Sequence, residues 1–424
     1  MWGKTTGYTY DRPGRLTSVA GPDGTRSFTH DDDGRVQTES FGGVVVADPA
    51  YLNGEIISAS YGNLSNLAVG RDGAGRTTSL VWTGLAGSAI ASDVVERSQS
   101  GRVVEQSIDG VDPRPDARNF EYDPVGRLAK AWVPGAAIAY FHGTEDAAAK
   151  PACAFDSALA GKNGNRTSMT RTVGTTAATT TTYCHDAASR LVSSSDAAVD
   201  QLAYDARGNT ITLGTEKLLY DGTDRHTQTR VDGGDTVTYV CDATDRIVSR
   251  TQGTSIVHYG YTGPGDPPAF TMTAANDVVE STVALPGGAM LTKRDELLND
   301  VWSYPNVHGD VMATANAVGT KQGDTLSYDP FGVPLGTAMA DNPAGNMDYG
   351  WLGGPQRLTE HAPGIATIEM GARQYVPGLG RFLSVDPVEG GRRTTTTTPV
   401  GIRSTGPISG SPGIGVGDFG PPQP

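Results

Sequence analysis

The apolar positions of this chain fall in short runs, not in helical stripes or long blocks. Gly7-Tyr8-Thr9-Tyr10, Leu16-Thr17-Ser18-Val19, Thr236-Val237-Thr238-Tyr239-Val240 and Arg246-Ile247-Val248-Ser249 are rich in Thr, Val and Tyr. Such residues suit a pleated, half-buried strand. Between the runs stand polar clusters of the form Asp-x-x-Gly. Asp at the first turn position bonds its side chain to the backbone ahead, and Gly at the fourth supplies a positive φ. The pattern predicts strand, turn, strand: a β-hairpin. Convincing amphipathic helices are few.

The hairpin is written repeatedly as Tyr-Asp-x-x-Gly-Arg-Leu. It is clean at Tyr10-Asp11, Gly14-Arg15-Leu16 and at Tyr122-Asp123, Gly126-Arg127-Leu128. It returns with one or two changes at His30, Arg71, His185, Tyr204, Tyr220, Cys241 and Tyr328. A spacing of roughly 20 residues marks one small unit used many times. A lone hairpin is marginal in water, so neighbours are expected to pair edge to edge in one continuous sheet. In Asp123-Pro124-Val125-Gly126 and Asp329-Pro330-Phe331-Gly332 the Pro stands where its fixed φ suits a type I turn. Asp11-Arg12-Pro13-Gly14 places Pro one position later, so that copy is expected to bend differently. Asp224 and Asp245 take the Gly slot, and Asn165 and Ser189 fill nearby slots with other small polar residues. Asp and Asn tolerate left-handed geometry better than most residues.

The recurring Tyr, Asp, Gly and Arg are read as structural. They include Tyr10, Asp11, Gly14, Arg15, Tyr122, Asp123, Gly126, Arg127, Tyr204, Asp205, Gly208, Tyr328, Asp329 and Gly332. Tyr packs its ring and still satisfies its hydroxyl. Arg lays its stem over apolar surface, with its head near the Asp of the same or the next unit.

Composition narrows the functional classes. The chain has 424 residues and a net charge of −14, which argues against a nucleic-acid partner. No apolar run approaches the length of a membrane span. The opening Met1-Trp2-Gly3-Lys4-Thr5 has no apolar signal core and enters directly at a repeat. A preceding region of a longer protein is therefore expected. Cys153, Cys184 and Cys241 have no metal-ligand spacing and are read as free or buried thiols. Asn63-Leu64-Ser65 and Asn165-Arg166-Thr167 fit a glycosylation pattern that is common by chance. The sequence shows no His-Glu-x-x-His, no phosphate loop and no Gly-x-Ser-x-Gly elbow. The seven histidines are scattered. His30 and His185 stand in the Tyr slot and are read as packing residues. No metal or cofactor is expected.

The later third carries the most specific run. Trp302-Ser303-Tyr304-Pro305-Asn306-Val307-His308-Gly309-Asp310 is followed by Tyr328-Asp329-Pro330-Phe331-Gly332 and Tyr349-Gly350-Trp351-Leu352-Gly353-Gly354-Pro355-Gln356. Met370-Gly371-Ala372-Arg373-Gln374-Tyr375 then leads to Gly380-Arg381-Phe382-Leu383-Ser384-Val385-Asp386-Pro387. The Tyr-Asp hairpins resemble the YD repeats of Rhs proteins, teneurins and Tc toxin C components. The later run resembles the Rhs repeat-associated core in its actinobacterial form. Its motif residues are His308, Gly309, Asp310, Gly380, Arg381, Phe382, Asp386 and Pro387; His308 is read as structural. The resemblance covers nearly all of residues 1–390.

The resemblance implies an all-β fold of repeated hairpins spiralling into a hollow shell, expected here to be open or incompletely closed. It implies a secreted or cell-surface protein of the polymorphic-toxin kind, whose shell encloses a C-terminal effector polypeptide. It divides the chain into repeats (1–250), repeat-associated core (251–391) and a low-complexity Thr/Gly/Pro tail (392–424) expected to be disordered. It also implies an aspartyl-protease-like site, and Asp386 matches the first family Asp. Aspartic catalysis needs two carboxylates sharing a proton, yet Gly390 to Pro399 contains no Asp. Asp386 is therefore read first as a turn residue before Pro387, and second as a catalytic remnant. A frameshift or early stop after the core would account for the tail and for a missing effector. Three functions follow in order: a passive shell segment, a surface module adhering to proteins or glycans, and a self-cleaving aspartyl peptidase using Asp386.

Overall fold

The repeated turns all close through the same two backbone bonds. Asp11 N donates to Arg15 O (2.9 Å) and Gly14 N to Asp11 O (3.0 Å). Asp31, Asp123 and Asp242 head the same pair of bonds. This is a type I turn followed by one left-handed residue, and it shifts the strand register by one. At the second clean repeat, Glu121 faces Lys130 but Tyr122 faces Leu128. Gly126 holds the left-handed position at φ 85°, and Ser189, Asp224 and Asp245 hold it at 64–66° with side chains attached. The Asp11 copy does not bend differently. The proline ring keeps φ near −65°, close enough to what a type I turn asks of its third residue for Pro13 to fit the common frame.

The computed structural model describes residues 2–143, 164–294, 300–336 and 347–385. Asp386, Pro387, Cys153 and the tail at 392–424 lie outside them. The described residues form antiparallel sheets in simple up-and-down order, without an α-helix. The first sheet runs ten strands from Gly7–Tyr10 to Val103–Ile108. The second runs six, from Phe120–Tyr122 to Leu191–Ser194. The third runs thirteen, from Leu202–Tyr204 to Lys321–Gln322. Ser327–Tyr328 and Pro334–Leu335 form a small pair, and five strands from Asp348–Tyr349 to Arg381–Phe382 form a terminal sheet.

The expected single sheet is thus broken twice along the hairpin array. At each break, polar side chains take over backbone bonds that a neighbouring strand would otherwise supply. At the first, Asn119 Oδ1 accepts from Gln106 N (2.6 Å) and Asn119 Nδ2 donates to Asp112 Oδ1 (2.8 Å). At the second, Ser195 Oγ accepts from Thr182 N (2.9 Å), and Asp196 caps the 3-10 turn Ala197–Val199 through Ala198 N.

The chain winds back onto itself. Turns of the first sheet at the end away from the Asp turns seat on the third sheet. Tyr61 OH donates to Pro286 O (2.7 Å), Trp82 Nε1 to Pro305 O (3.0 Å) and Asn63 Nδ2 to Tyr304 OH (2.8 Å). Sequence separations in these and similar contacts stay between 214 and 258 residues. One core joins Tyr61, Leu67 and Trp82 to Leu291, Trp302 and Tyr304. Asn63 is 1% exposed and Asn165 is also buried, so neither glycosylation pattern is presented to solvent. Cys184 is buried and disulfide-bonded, correcting the thiol reading, whereas Cys241 is a free thiol.

Trp82→Phe removes one buried hydrogen bond and part of a ring between the windings. The expected cost is about 2 kcal/mol. A urea denaturation midpoint that does not move would contradict that seat.

Candidate functional site

Each Asp of the repeat acts twice on its own hairpin and its Arg acts again on the next. Asp123 Oδ1 accepts from Arg127 N (2.7 Å), and Oδ2 accepts from Arg127 Nε (2.6 Å). Asp11 holds Arg15 in the same way at 2.7 and 2.6 Å. Asp31–Arg35, Asp72–Arg76, Asp186–Arg190, Asp221–Arg225 and Asp242–Arg246 repeat the ion pair at 2.7–2.8 Å. At Asp205 the partner is Asn209, whose amide keeps the geometry without the charge. The far end of the guanidinium then reaches the next turn: Arg15 Nη1 donates to Asp31 O (3.2 Å) and Arg225 Nη1 to Asp242 O (2.8 Å).

The Tyr completes the link from the other side. Tyr51, Tyr122, Tyr204 and Tyr261 donate their hydroxyls to Val36 O, Val103 O, Leu191 O and Ile247 O, at 2.6–2.9 Å. Each acceptor directly follows the Arg of the preceding hairpin, and that Arg lies over the Tyr ring at 4.3–5.4 Å. Two of these links span the breaks in the hairpin array. Tyr122 joins the second sheet to the first, and Tyr204 joins the third to the second. Tyr10 has no such neighbour, and its ring is 61% exposed.

The Asp329 copy is different. Its fifth residue is Val333, so no Arg answers it. Asp329 Oδ1 accepts from Phe331 N and Val333 N, both at 2.9 Å. Burial raises its pKa, and those two bonds offset only part of the rise. The turn pushes Phe331 into the second-sheet core, edge-on to Tyr140 with Arg166 above it at 4.2 Å. A side chain at Gly332 would collide with Trp351. Tyr328 packs beside Trp351, Ile368 and Tyr375.

The His308-Gly309-Asp310 motif is a junction of three chain segments. Asn306 heads its turn in place of Asp, and its Oδ1 accepts from His308 N, Gly309 N and Asp310 N at 2.9–3.0 Å. Asp310 Oδ1 meets His308 Nδ1 at 2.8 Å and accepts from Leu352 N at 3.0 Å. Asp93, inside the strand Ala89–Arg97, accepts from Val307 N (2.8 Å) and Gln106 Nε2 (2.9 Å). Burial lifts Asp93 to about 6. Burial opposes charge on His308, but the carboxylates of Asp310 and Asp93 outweigh it and raise the imidazole. Every hydrogen bond here holds a turn or a neighbouring loop.

Gly380-Arg381-Phe382-Leu383 spans the break between the second and third sheets. Gly380 sits at φ 64°, and a Cβ there would stand 2.6 Å from Phe331 Cδ1 and 2.9 Å from Arg166 Nη2. Arg381 Nη1 contacts Asn165 Oδ1 (3.2 Å) and His185 Nε2 (3.0 Å), and its Nη2 donates to Ser189 O. Burial, together with the nearby Arg381 and Arg166, depresses His185 to about 3. Phe382 lies edge-on to Tyr375 and beneath Arg373. Across the break, Leu383 O accepts from Thr210 N (2.8 Å), and Val385 rests against Gly208.

Sequence reasoning missed the strongest anchor of this segment. Arg250 and Glu360, 0% and 1% exposed, pair through both carboxylate oxygens, and Tyr239 OH adds a third bond at 2.9 Å. A charged residue inside an apolar strand was the available signal, at Arg250 as at Asp93. Glu216 was also missed. It is buried, accepts from Ile365 N (2.7 Å), and burial lifts it to about 7.

No family model matches the chain. Solved Tc toxin structures share its fold. The Photorhabdus luminescens Tc holotoxin pore with a mutated TccC3 aligns at TM-score 0.71 and 17% identity, over 94% of this chain and 21% of that one. The TcdB2–TccC3 complex aligns at 0.68 and 17%, over 93% and 21%. The chain is an all-β spiral of repeated hairpins of that shell type. Among curated sequences, the tRNA3(Ser)-specific nuclease WapA of Bacillus spizizenii is 27% identical over 221 residues, which is 50% of this chain. The tRNA nuclease WapA of Bacillus subtilis is 26% identical over the same length. The match spans 9% of each relative.

The titratable groups predict a stability that depends on pH in both directions. Burial works to raise Asp123, but its bonds to Arg127 prevail and the folded pKa lies below 3.8; Asp221 falls to about 2. Depressed acids lose their stabilising effect as pH drops below about 4. Glu216 and Asp93 are raised, so the stability they favour is full below about pH 4 and is lost as pH climbs toward 6 or 7. Buried His185, held down at about 3, opposes them and withdraws stability as pH falls below about 6.5. Denaturation midpoints from pH 3 to 8 are expected to fall away toward both the acid and the alkaline end. Glu216→Gln should flatten the alkaline slope. An unchanged slope would mean that Glu216 titrates alike in both states.

Proposed function

We propose that this chain is a wall of an Rhs-type container, part of a secreted or cell-surface toxin-like protein that encloses or presents a C-terminal effector polypeptide. One observation carries the reading. The segment from Leu326 to Leu383 sends side chains into the cores of the second and third sheets, and Val385 rests against Gly208. The residues up to Val385 are therefore built into the wall. The fold shared with the TccC3 structures and the likeness to the WapA nucleases support the same assignment. The wall is read as chemically passive, because the ionisable groups gathered at His308 and Arg381 each hold a turn or a carbonyl. The repeats at 1–250 and the actinobacterial-type core at 251–391 are proposed as one working unit. Any effector chemistry would reside in the enclosed polypeptide.

A labelled unstructured polypeptide fused after Pro424 tests this reading. The wall reading predicts that added protease digests the fused segment at least about tenfold more slowly than the free polypeptide. It also predicts that, without protease, intact mass stays constant over days in both wild type and Asp386→Asn. Digestion at the free rate would overturn the container. Loss of a C-terminal piece in the wild type alone would make the chain a self-cleaving peptidase.

A further inference from the structure

Two buried guanidiniums meet where the terminal segment crosses the second sheet. Arg166 and Arg381, 8% and 7% exposed, line one cavity of about 20 Å³ together with His142, His185, Tyr183 and Phe331. Leu379 and Gly380 of the terminal segment close its other side. Met169 Sδ (3.8 Å) and Leu379 O take two of the five N–H groups of Arg166. Its guanidinium otherwise lies against the rings of Phe331, Tyr183 and Tyr140, at 4.2–5.6 Å. Among the described residues, no carboxylate bonds to Arg166.

The neighbours do not supply the missing negative charge. Asp329 acts on Arg166 only from a distance, and its own oxygen accepts from Phe331 N and Val333 N. Asp186 acts on Arg381 while it holds Arg190. His185 Nε2 stands 3.0 Å from Arg381 Nη1. A guanidinium cannot accept, so that nitrogen is bare and the ring is neutral. His142 Nε2 meets Leu128 O at 3.3 Å, which leaves this ring without negative charge to offer. A buried cation is costly unless a partner answers it. The cavity has room for one particle near the size of a water molecule, and not for a phosphate group.

We propose that this cavity binds a small monovalent inorganic anion of the chloride class. Arg166 would hold it from the second-sheet side and Arg381 from the terminal segment. The ion would thus tie the terminal segment to the second sheet, and the seating of Leu379 to Leu383 would strengthen as the anion concentration rises.

Bromide is the first probe, soaked into crystals of the full chain. An anomalous peak in the cavity beside the Arg166 guanidinium is expected. In solution, chloride replacing gluconate at constant ionic strength should raise the melting temperature along a saturating curve. It should also slow amide exchange in Arg373–Val376 and Arg381–Phe382. Arg166→Gln should abolish both responses, and Arg15→Gln, at a surface turn, should leave them intact. Circular dichroism shows whether Arg166→Gln folds; if it does not, the bromide peak in the wild type decides alone. A cavity without bromide, or bromide at the surface only, would overturn the proposal. So would a chloride response that folded Arg166→Gln retains.

Discussion

Everything in this fold depends on how one hairpin is fastened to the next. Backbone ladders do this within each sheet, but they stop twice along the array. A Tyr hydroxyl and an Arg guanidinium cross both stops. Tyr122 reaches Val103 O across the first break, and Tyr204 reaches Leu191 O across the second. In three of the four links the Arg (Arg35, Arg190 and Arg246) is positioned by its own Asp before it meets the neighbouring ring, so its side-chain freedom is already restricted when the next hairpin arrives; the turn of Arg102 is headed by Ser98 instead. A half-buried ion pair of this kind contributes little alone. Its value here is geometric, because the same carboxylate shapes the turn and aims the cation.

The segment after Leu326 solves a different problem. It lays short strands and loops across cores that the meandering sheets leave uncovered. Its polar anchors are buried and multiply bonded: Glu360 on Arg250, Asp310 on Leu352 N, Arg381 on Ser189 O and Asn165. Removing one member of such a group strands the other in a poorly solvating interior. This is why the segment reads as fixed wall in the container proposal.

Much of this was legible in the sequence. Asp-x-x-Gly-Arg specified turn, bulge and salt bridge together, because each depends on residues no more than four apart. Asp224, Asp245 and Ser189 in the left-handed slot were readable for the same reason. Long-range features were not. Nothing local says that Trp82 will meet Pro305, or that Asn119 will replace a ladder bond and end a sheet. The Pro13 turn was misjudged because turn preferences are statistical, whereas two flanking strands fix the frame. At the terminal segment, Gly380 and Arg381 were recognisable as a motif. Their partners Arg166, His185 and Ser189 became visible only when the winding brought them together. Asp386 was the one chemical candidate, and it lies outside the described residues.

The central claim is that the Tyr–Arg link carries the joints where the ladder is interrupted. Hydrogen exchange on Tyr122→Ala and Tyr204→Ala, beside Tyr51→Ala and Tyr261→Ala, tests it most directly. The account predicts that the first two speed exchange on both sides of their breaks, in Val103–Ile108 and Leu191–Ser194 as well as in the mutated strands. The other two, inside unbroken ladders, should perturb their own hairpins and little else. Equal and local effects in all four would contradict it, and the joints would then be held by contacts other than this link.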